Sequence, residues 1–280
     1  MAKPCAIGVI TGLPNGPQSG FGEVQKLGIE TVQLQYRARF HNPQGIAAIR
    51  EAASQTGIEI TTVFCGFAGE SYLDIPTVQK TVGLVPQETR AARVALIEEI
   101  ADFARELGVA RVAAHIGFIP EEQTLPLYQT LVNVVREICE SLARRGQIFA
   151  LETGQETART LARFISDVNQ FNLRVNFDPA NMILYGNDNP IDAMNLLTNW
   201  IDGVHCKDGL WPVTKNELGE EVPFGKGEVQ AELWLQKLLE SGYRGPLTIE
   251  REIGGQAQKR DITAAKNLIE NVVRSRAGSD

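Results

Sequence analysis

At 280 residues and 43% hydrophobic, the chain is long enough to bury a core without disulfides or a structural metal, and its length suits one α/β barrel or two smaller domains. A net charge of -7 and a pI near 5.2 supply no overall basic field for a phosphodiester backbone, so nucleic acid is not an expected partner. The segment from Met1 to Cys5 lacks the apolar run of a signal peptide and nothing later approaches a membrane-spanning length, which predicts a cytoplasmic protein that contacts no membrane.

Cys5, Cys65, Cys139 and Cys206 lie far apart with no CxxC pair, the pattern of reduced, mostly buried thiols. Taken in chain order, β-type runs recur at 6–11, 31–36, 58–64, 111–116, 148–153, 174–178, 203–207 and 246–250. Between them a glycine repeatedly closes a helix before the next run, at Gly28, Gly57, Gly108, Gly146 and Gly242, where a left-handed residue is wanted. The helical segments carry apolar residues at helical spacing, as in Val94, Ile97, Ala101, Ala104 and Leu107. Thr157 and Asp261 are predicted to cap two of the later helices. Eight βα units predict an α/β fold, a single (β/α)8 TIM barrel occupying residues 1–280 as one domain. A doubly wound sheet is the alternative, but Thr11-Gly12-Leu13-Pro14-Asn15-Gly16 lacks its glycine-rich phosphate turn.

Two connections are longer than the rest, 66–86 and 209–228; both follow strands and are therefore placed over the barrel mouth. The second holds Trp211, a candidate substrate contact, and Gly225-Lys226-Gly227, which lacks P-loop spacing.

Four strand runs end in metal-ligating groups: Leu151-Glu152-Thr153, Phe177-Asp178-Pro179-Ala180-Asn181, Val204-His205-Cys206-Lys207-Asp208 and Thr248-Ile249-Glu250. Barrel active sites form at these carboxyl ends, and adjacent strands roughly 4.8 Å apart can converge their side chains near the axis. Three carboxylates sharing a point raise one another's pKa unless a cation joins them. Any one of the four is as readily an incidental wet strand end, but the set is not. Oxygen-rich ligation with one imidazole points to a divalent ion, with Mn2+ expected and Mg2+, Co2+ or Zn2+ as alternatives.

Alternation along a strand puts Lys207 on the face of His205 and Asn176 on that of Asp178. Lys207 is a candidate substrate contact or oxyanion stabiliser, with an ion pair to Asp208 or Glu250 as the plainer role. Asn181 and Glu156 are candidates to orient ligands or substrate, against simple helix capping. His115, closing the fourth strand, is a further candidate substrate contact or a hydrogen-bonded core histidine. His41 is expected in a solvated turn rather than a substrate-facing rim, and Arg37, Arg39 and Lys226 either reach an anion or are solvated.

These motifs together resemble the xylose-isomerase-like sugar phosphate isomerase/epimerase superfamily, which includes ketose 3-epimerases, hydroxypyruvate isomerase and inosose dehydratase. The resemblance implies a divalent-metal-dependent isomerase or epimerase acting on a sugar or sugar phosphate. It implies Glu152, Asp178, His205 and Glu250 as metal ligands, and Glu152 and Glu250 as the catalytic pair that moves a proton beside a metal-bound ketone through an ene-diolate. A lyase acting on a keto-polyol or keto-glycoside is the runner-up, and a non-catalytic sugar-binding barrel the third reading. Helix exteriors and long loops are where a homo-oligomer would form. Three histidines in total are too few for the trinuclear cluster of the superfamily's endonuclease branch.

Overall fold

The structure is a computed structural model that describes residues 4–277. Among the described residues ten strands form in chain order: β1 (Ile7–Thr11), β2 (Thr31–Gln35), β3 (Glu59–Phe64), β4 (Arg111–Ala114), β5 (Ile148–Glu152), β6 (Leu173–Phe177), β7 (Ile201–Cys206), β8 (Asp208–Leu210), β9 (Glu220–Val222) and β10 (Leu247–Ile249). All except β8 and β9 close a parallel barrel, β10 pairing with β7 on one side and β1 on the other. The helices are α1 (Pro17–Lys26), α2 (Pro43–Thr56), α3 (Ile75–Thr81), α4 (Gln87–Leu107), α5 (Pro126–Ala143), α6 (Ala158–Val168), α7 (Pro179–Leu184), α8 (Pro190–Leu197), α9 (Ala231–Glu240) and α10 (Gly255–Ala277). The expected barrel is present.

Local chemistry explains the phasing. Proline stands at the start of α1, α2, α5, α7 and α8, where its missing N–H has no partner to lose. Gly57 and Gly108 close α2 and α4 with φ of 71° and 78°, the left-handed conformation that a side chain resists. Thr157 caps α6 as expected, its Oγ1 accepting from Thr160 N at 3.2 Å. Asp261 caps nothing: α10 begins earlier, at Gly255, and the Asp261 carboxylate instead takes Arg251 Nε at 2.9 Å. The first turns of α10 are polar and carry no apolar period, so the sequence pattern starts late.

The main apolar core lies between barrel and helices, where strand residues such as Val112, Phe149, Val175 and Val204 meet Phe103, Leu131, Phe164 and Trp234. Inside the barrel the filling is different. Phe64, Ala113 and Ala150 form a separate small cluster, and beneath the mouth the interior is polar, with Gln33, Asn176 and His205 hydrogen-bonded across the ring. Gly203 on β7 makes this possible, since a Cβ there would lie 2.5 Å from Asn176 Oδ1.

The two long connections carry structure of their own. The first holds α3 and the second the β8–β9 hairpin, and Ile75 N donates to Asn216 O at 3.1 Å to join them over the mouth. All four cysteines are free, and no helix among the described residues is long and apolar enough to cross a membrane.

Candidate metal centre

Glu152, Asp178, His205 and Glu250 come from β5, the α7 cap after β6, β7 and the residue after β10, four consecutive positions around the barrel. Each offers one ligand atom, and those atoms lie within 4.8 Å of one another. His205 presents Nδ1 to the group, 2.9 Å from Glu152 Oε1, 3.0 Å from Glu250 Oε2 and 3.3 Å from Asp178 Oδ2. Its other nitrogen, Nε2, lies 2.9 Å from Gln33 Oε1, which can only accept. Asn176 Nδ2 lies 3.0 Å from the same nitrogen, so Nε2 is held between an acceptor and a donor while Nδ1 faces the carboxylates, the orientation expected of a metal-binding imidazole.

Asp178 is set twice. Its backbone N donates to Thr153 Oγ1 at 2.8 Å, and Oδ1 accepts from Asn181 N at 3.0 Å as the cap of α7, so Oδ2 is the oxygen left to face the cluster. Asn181 is not the helix cap, a place taken by Asp178. While its backbone N donates to that cap, its Nδ2 donates to Glu152 Oε1 at 3.3 Å. Lys207 Nζ reaches Glu252, with Glu250 Oε2 at 3.2 Å and Asp178 Oδ2 at 3.8 Å. The alternative partner weighed for it, Asp208, is occupied elsewhere: its carboxylate accepts from the backbone of Gly209, Gly225 and Val229 and anchors the hairpin.

The electrostatics follow from burial set against neighbours. Burial opposes charge on Glu152 and Glu250, yet His115 and His205 hold Glu152 below the ordinary carboxylate range, and Lys207 and His205 hold Glu250 there. Asp178, fully buried, goes the other way, its pKa raised by desolvation. Burial also opposes a charge on His205, but Glu250 and Glu152 keep its pKa well above the imidazole value. Glu250 Oε2 is buried and makes no hydrogen bond of acceptable geometry despite its two cationic neighbours. An orphaned carboxylate oxygen aimed into a cluster of converging donors fits a divalent cation.

Above the cluster lies a cavity of about 460 Å³. Glu152 and Glu250 line it; Asp178 and His205 do not. His115 lines it too, Nε2 2.7 Å from Glu152 Oε2, and Gln155 Nε2 meets the other ring nitrogen at 3.2 Å. Lys207 and Asn181 complete its floor, and Phe64, Tyr72, Tyr185 and Glu221 its walls. Glu156 is 5% exposed and outside the lining; burial pushes its carboxyl up to about 8. Trp211 lies at the hairpin edge, 37% exposed, and is also outside the lining. His41 is neither solvated nor on the rim: it packs against Phe103 beside Tyr36 and Glu99. Gln33, Gln155, Tyr185 and Glu252 were not singled out from sequence, because the only cue, a polar residue in or after an apolar run, is too common to select them.

The fold and its donor set define a class: parallel barrels whose mouth gathers carboxylates and one imidazole where a divalent ion could be held beneath an open cavity. The chain belongs to the xylose isomerase-like TIM barrel family, which it matches over residues 21–271. It is 44% identical to a xylose isomerase domain protein from Planctomyces limnophilus, covering 98% of this chain and 99% of that one with a TM-score of 0.93. A D-tagatose 3-epimerase-like protein shares the fold at 20% identity and TM-score 0.76, covering 98% and 99% of the two chains. YihM of Escherichia coli (strain K12) is 27% identical over 156 residues, 54% of this chain and 46% of that protein.

Proposed function

We propose that the protein is a divalent-metal-dependent isomerase or epimerase acting on a ketose or sugar phosphate. The observation that carries this reading is that only the two glutamates of the four-donor set line the cavity, while Asp178 and His205 are sealed beneath it. An ion held by Glu152, Asp178, His205 and Glu250, manganese being favoured over magnesium, cobalt or zinc, would supply Lewis-acid polarisation of a substrate carbonyl. Glu152 divides its two oxygens, Oε1 toward His205 and Oε2 toward His115, so Oε2 is the atom that faces substrate. Glu250, held ionised by Lys207, takes a proton from the carbon beside the carbonyl. The proton returned from the other side of the donor set starts on His115 and passes through Glu152 Oε2; Glu250 then gives its proton to solvent and His115 takes one back. Lys207 and Asn181 meet the negative charge that develops on the substrate oxygens. The likeness in fold to a D-tagatose 3-epimerase-like protein agrees with this chemistry. Four free thiols agree with a cytoplasmic setting.

One observation favours a second reading. His115 brings a third proton-carrying group into the cavity, 2.7 Å from Glu152, and could protonate a departing group, which would make the enzyme a lyase on a keto-polyol or keto-glycoside. Incubating the Mn2+-loaded protein with a panel of ketoses and keto-polyols in heavy water separates the two by NMR. Deuterium entering beside the carbonyl supports proton transfer, and loss of a leaving group supports elimination. Turnover that survives Glu152→Gln and Glu250→Gln would rule out both.

A further inference from the structure

The cavity over the donor set has a neighbour. A second cavity of about 370 Å³ opens between the turn after β1 and the first turns of α10, and Ile10, Gln35, Glu250 and Glu252 line both. The first cavity alone falls within the size range of a small-molecule site, so one sugar ring has no need of the second.

Its charges nearly cancel. Lys207 answers Glu250 and Glu252, Lys259 answers Glu23 at 3.2 Å, and Arg251 answers Glu221 and Asp261. Arg37 is left over. It lines the second cavity, donates to Gln35 Oε1 at 2.8 Å, and forms no ion pair among the described residues. A guanidinium carries five N–H donors, and one donated bond leaves most of them for a ligand. Asn15 and Thr11 add neutral polar groups, while Val24, Leu27 and Ile262 give the cavity an apolar side. Polar groups facing an apolar platform suit an uncharged sugar unit; a phosphate dianion would find Arg251 and Lys259 already paired with carboxylates and Arg37 alone without an ion pair among the described residues.

We propose that the substrate is a two-unit carbohydrate, its ketose unit against Glu152 and Glu250 and a second, neutral sugar unit seated in the adjoining cavity against Arg37 and Asn15. The proposal rests on the isomerase or lyase reading for the orientation of the first unit. Titration calorimetry of the Mn2+-loaded protein with D-fructose, D-fructose 6-phosphate, maltulose and isomaltulose tests it. At least one disaccharide is expected to bind about tenfold more tightly than D-fructose, the gain of one or two hydrogen bonds. Arg37→Ala and Asn15→Trp, both exposed positions outside the catalytic set, are expected to erase that gain and leave D-fructose binding unchanged. Disaccharides that bind no better than D-fructose, a gain that survives both variants, or a gain confined to the phosphate overturn the proposal. Deuterium exchange into D-fructose reports separately on the first site: exchange without a disaccharide advantage sinks this inference alone, whereas no binding by any sugar sinks both.

Discussion

Gln33 shows what one residue on the far side of the barrel contributes. Its Oε1 lies 2.9 Å from His205 Nε2 and its Nε2 donates to Asn176 Oδ1 at 3.0 Å, so together with Asn176 it sets the angle of the ring. Gln33→Leu keeps the volume and removes the acceptor; Mn2+ affinity is expected to fall about tenfold or more in a competition titration. Unchanged affinity would show that the imidazole is oriented without it. Glu156 supplies a prediction of a different kind. Burial raises its carboxyl from an unfolded value of 4.5 to about 8, so the folded chain holds a proton that the unfolded chain has already lost at neutral pH. Its stabilising contribution is complete below pH 4.5 and drains away as pH rises through 8. In urea melts Glu156→Gln should gain on the native chain across that window by up to about 1.4 kcal/mol per pH unit. A difference independent of pH would mean the carboxyl is ionised in the fold. The four donor residues were legible in sequence because each ends an apolar run at the barrel lip. Gln33 was not, since its role exists only once β2 closes the ring opposite β6 and β7.

At the scale of elements, the sequence showed its rhythm wherever a glycine or proline forces a boundary, and lost it where polar residues are recruited by tertiary contacts. The β8–β9 hairpin is the clearest case. Nothing in the run from Thr214 to Glu221 alternates in the manner of a strand, and the hairpin exists because the buried Asp208 carboxylate gathers three backbone N–H groups, from Gly209 at 2.9 Å, Gly225 at 2.9 Å and Val229 at 3.1 Å. Gly227 sits in this fold of chain, where a Cβ would lie 2.3 Å from Asp208 Oδ1. Asp208→Ala strands those donors in a buried place, at a cost of about 3 kcal/mol or more. The loss should be local as well as global, with the amides of Gly225 and Val229 exchanging faster with heavy water. Exchange at the native rate would show that the turn holds itself. Because Glu221 both lines the cavity and accepts from Glu252 N, at 3.0 Å, loosening the hairpin should also weaken sugar binding.

Across the whole molecule, the donor set ties together half of the barrel wall. β5, β6, β7 and β10 are successive strands, and a cation between their ends would join elements that otherwise meet only through ladder hydrogen bonds and side-chain packing. It would also relieve three buried carboxylates that the protein now balances with His205, His115 and Lys207. A ligand that binds only the folded state stabilises it by about 2.7 kcal/mol at a concentration one hundred times its dissociation constant. For a chain of this size that is a rise of several degrees in melting temperature. Mn2+ should therefore raise the melting temperature of chelator-treated protein, and EDTA should reverse the gain. An acidic protein with net charge -7 also collects divalent ions weakly on its surface, which a rise alone would not distinguish. Asp178→Asn settles that point: it removes one buried donor while leaving the surface charge as it was, and its melting temperature should no longer respond. If the variant responds as fully as the native chain, or if none of Mn2+, Mg2+, Co2+ and Zn2+ moves the native chain, the four side chains gather for some other reason and the proton chemistry built on them falls with the metal.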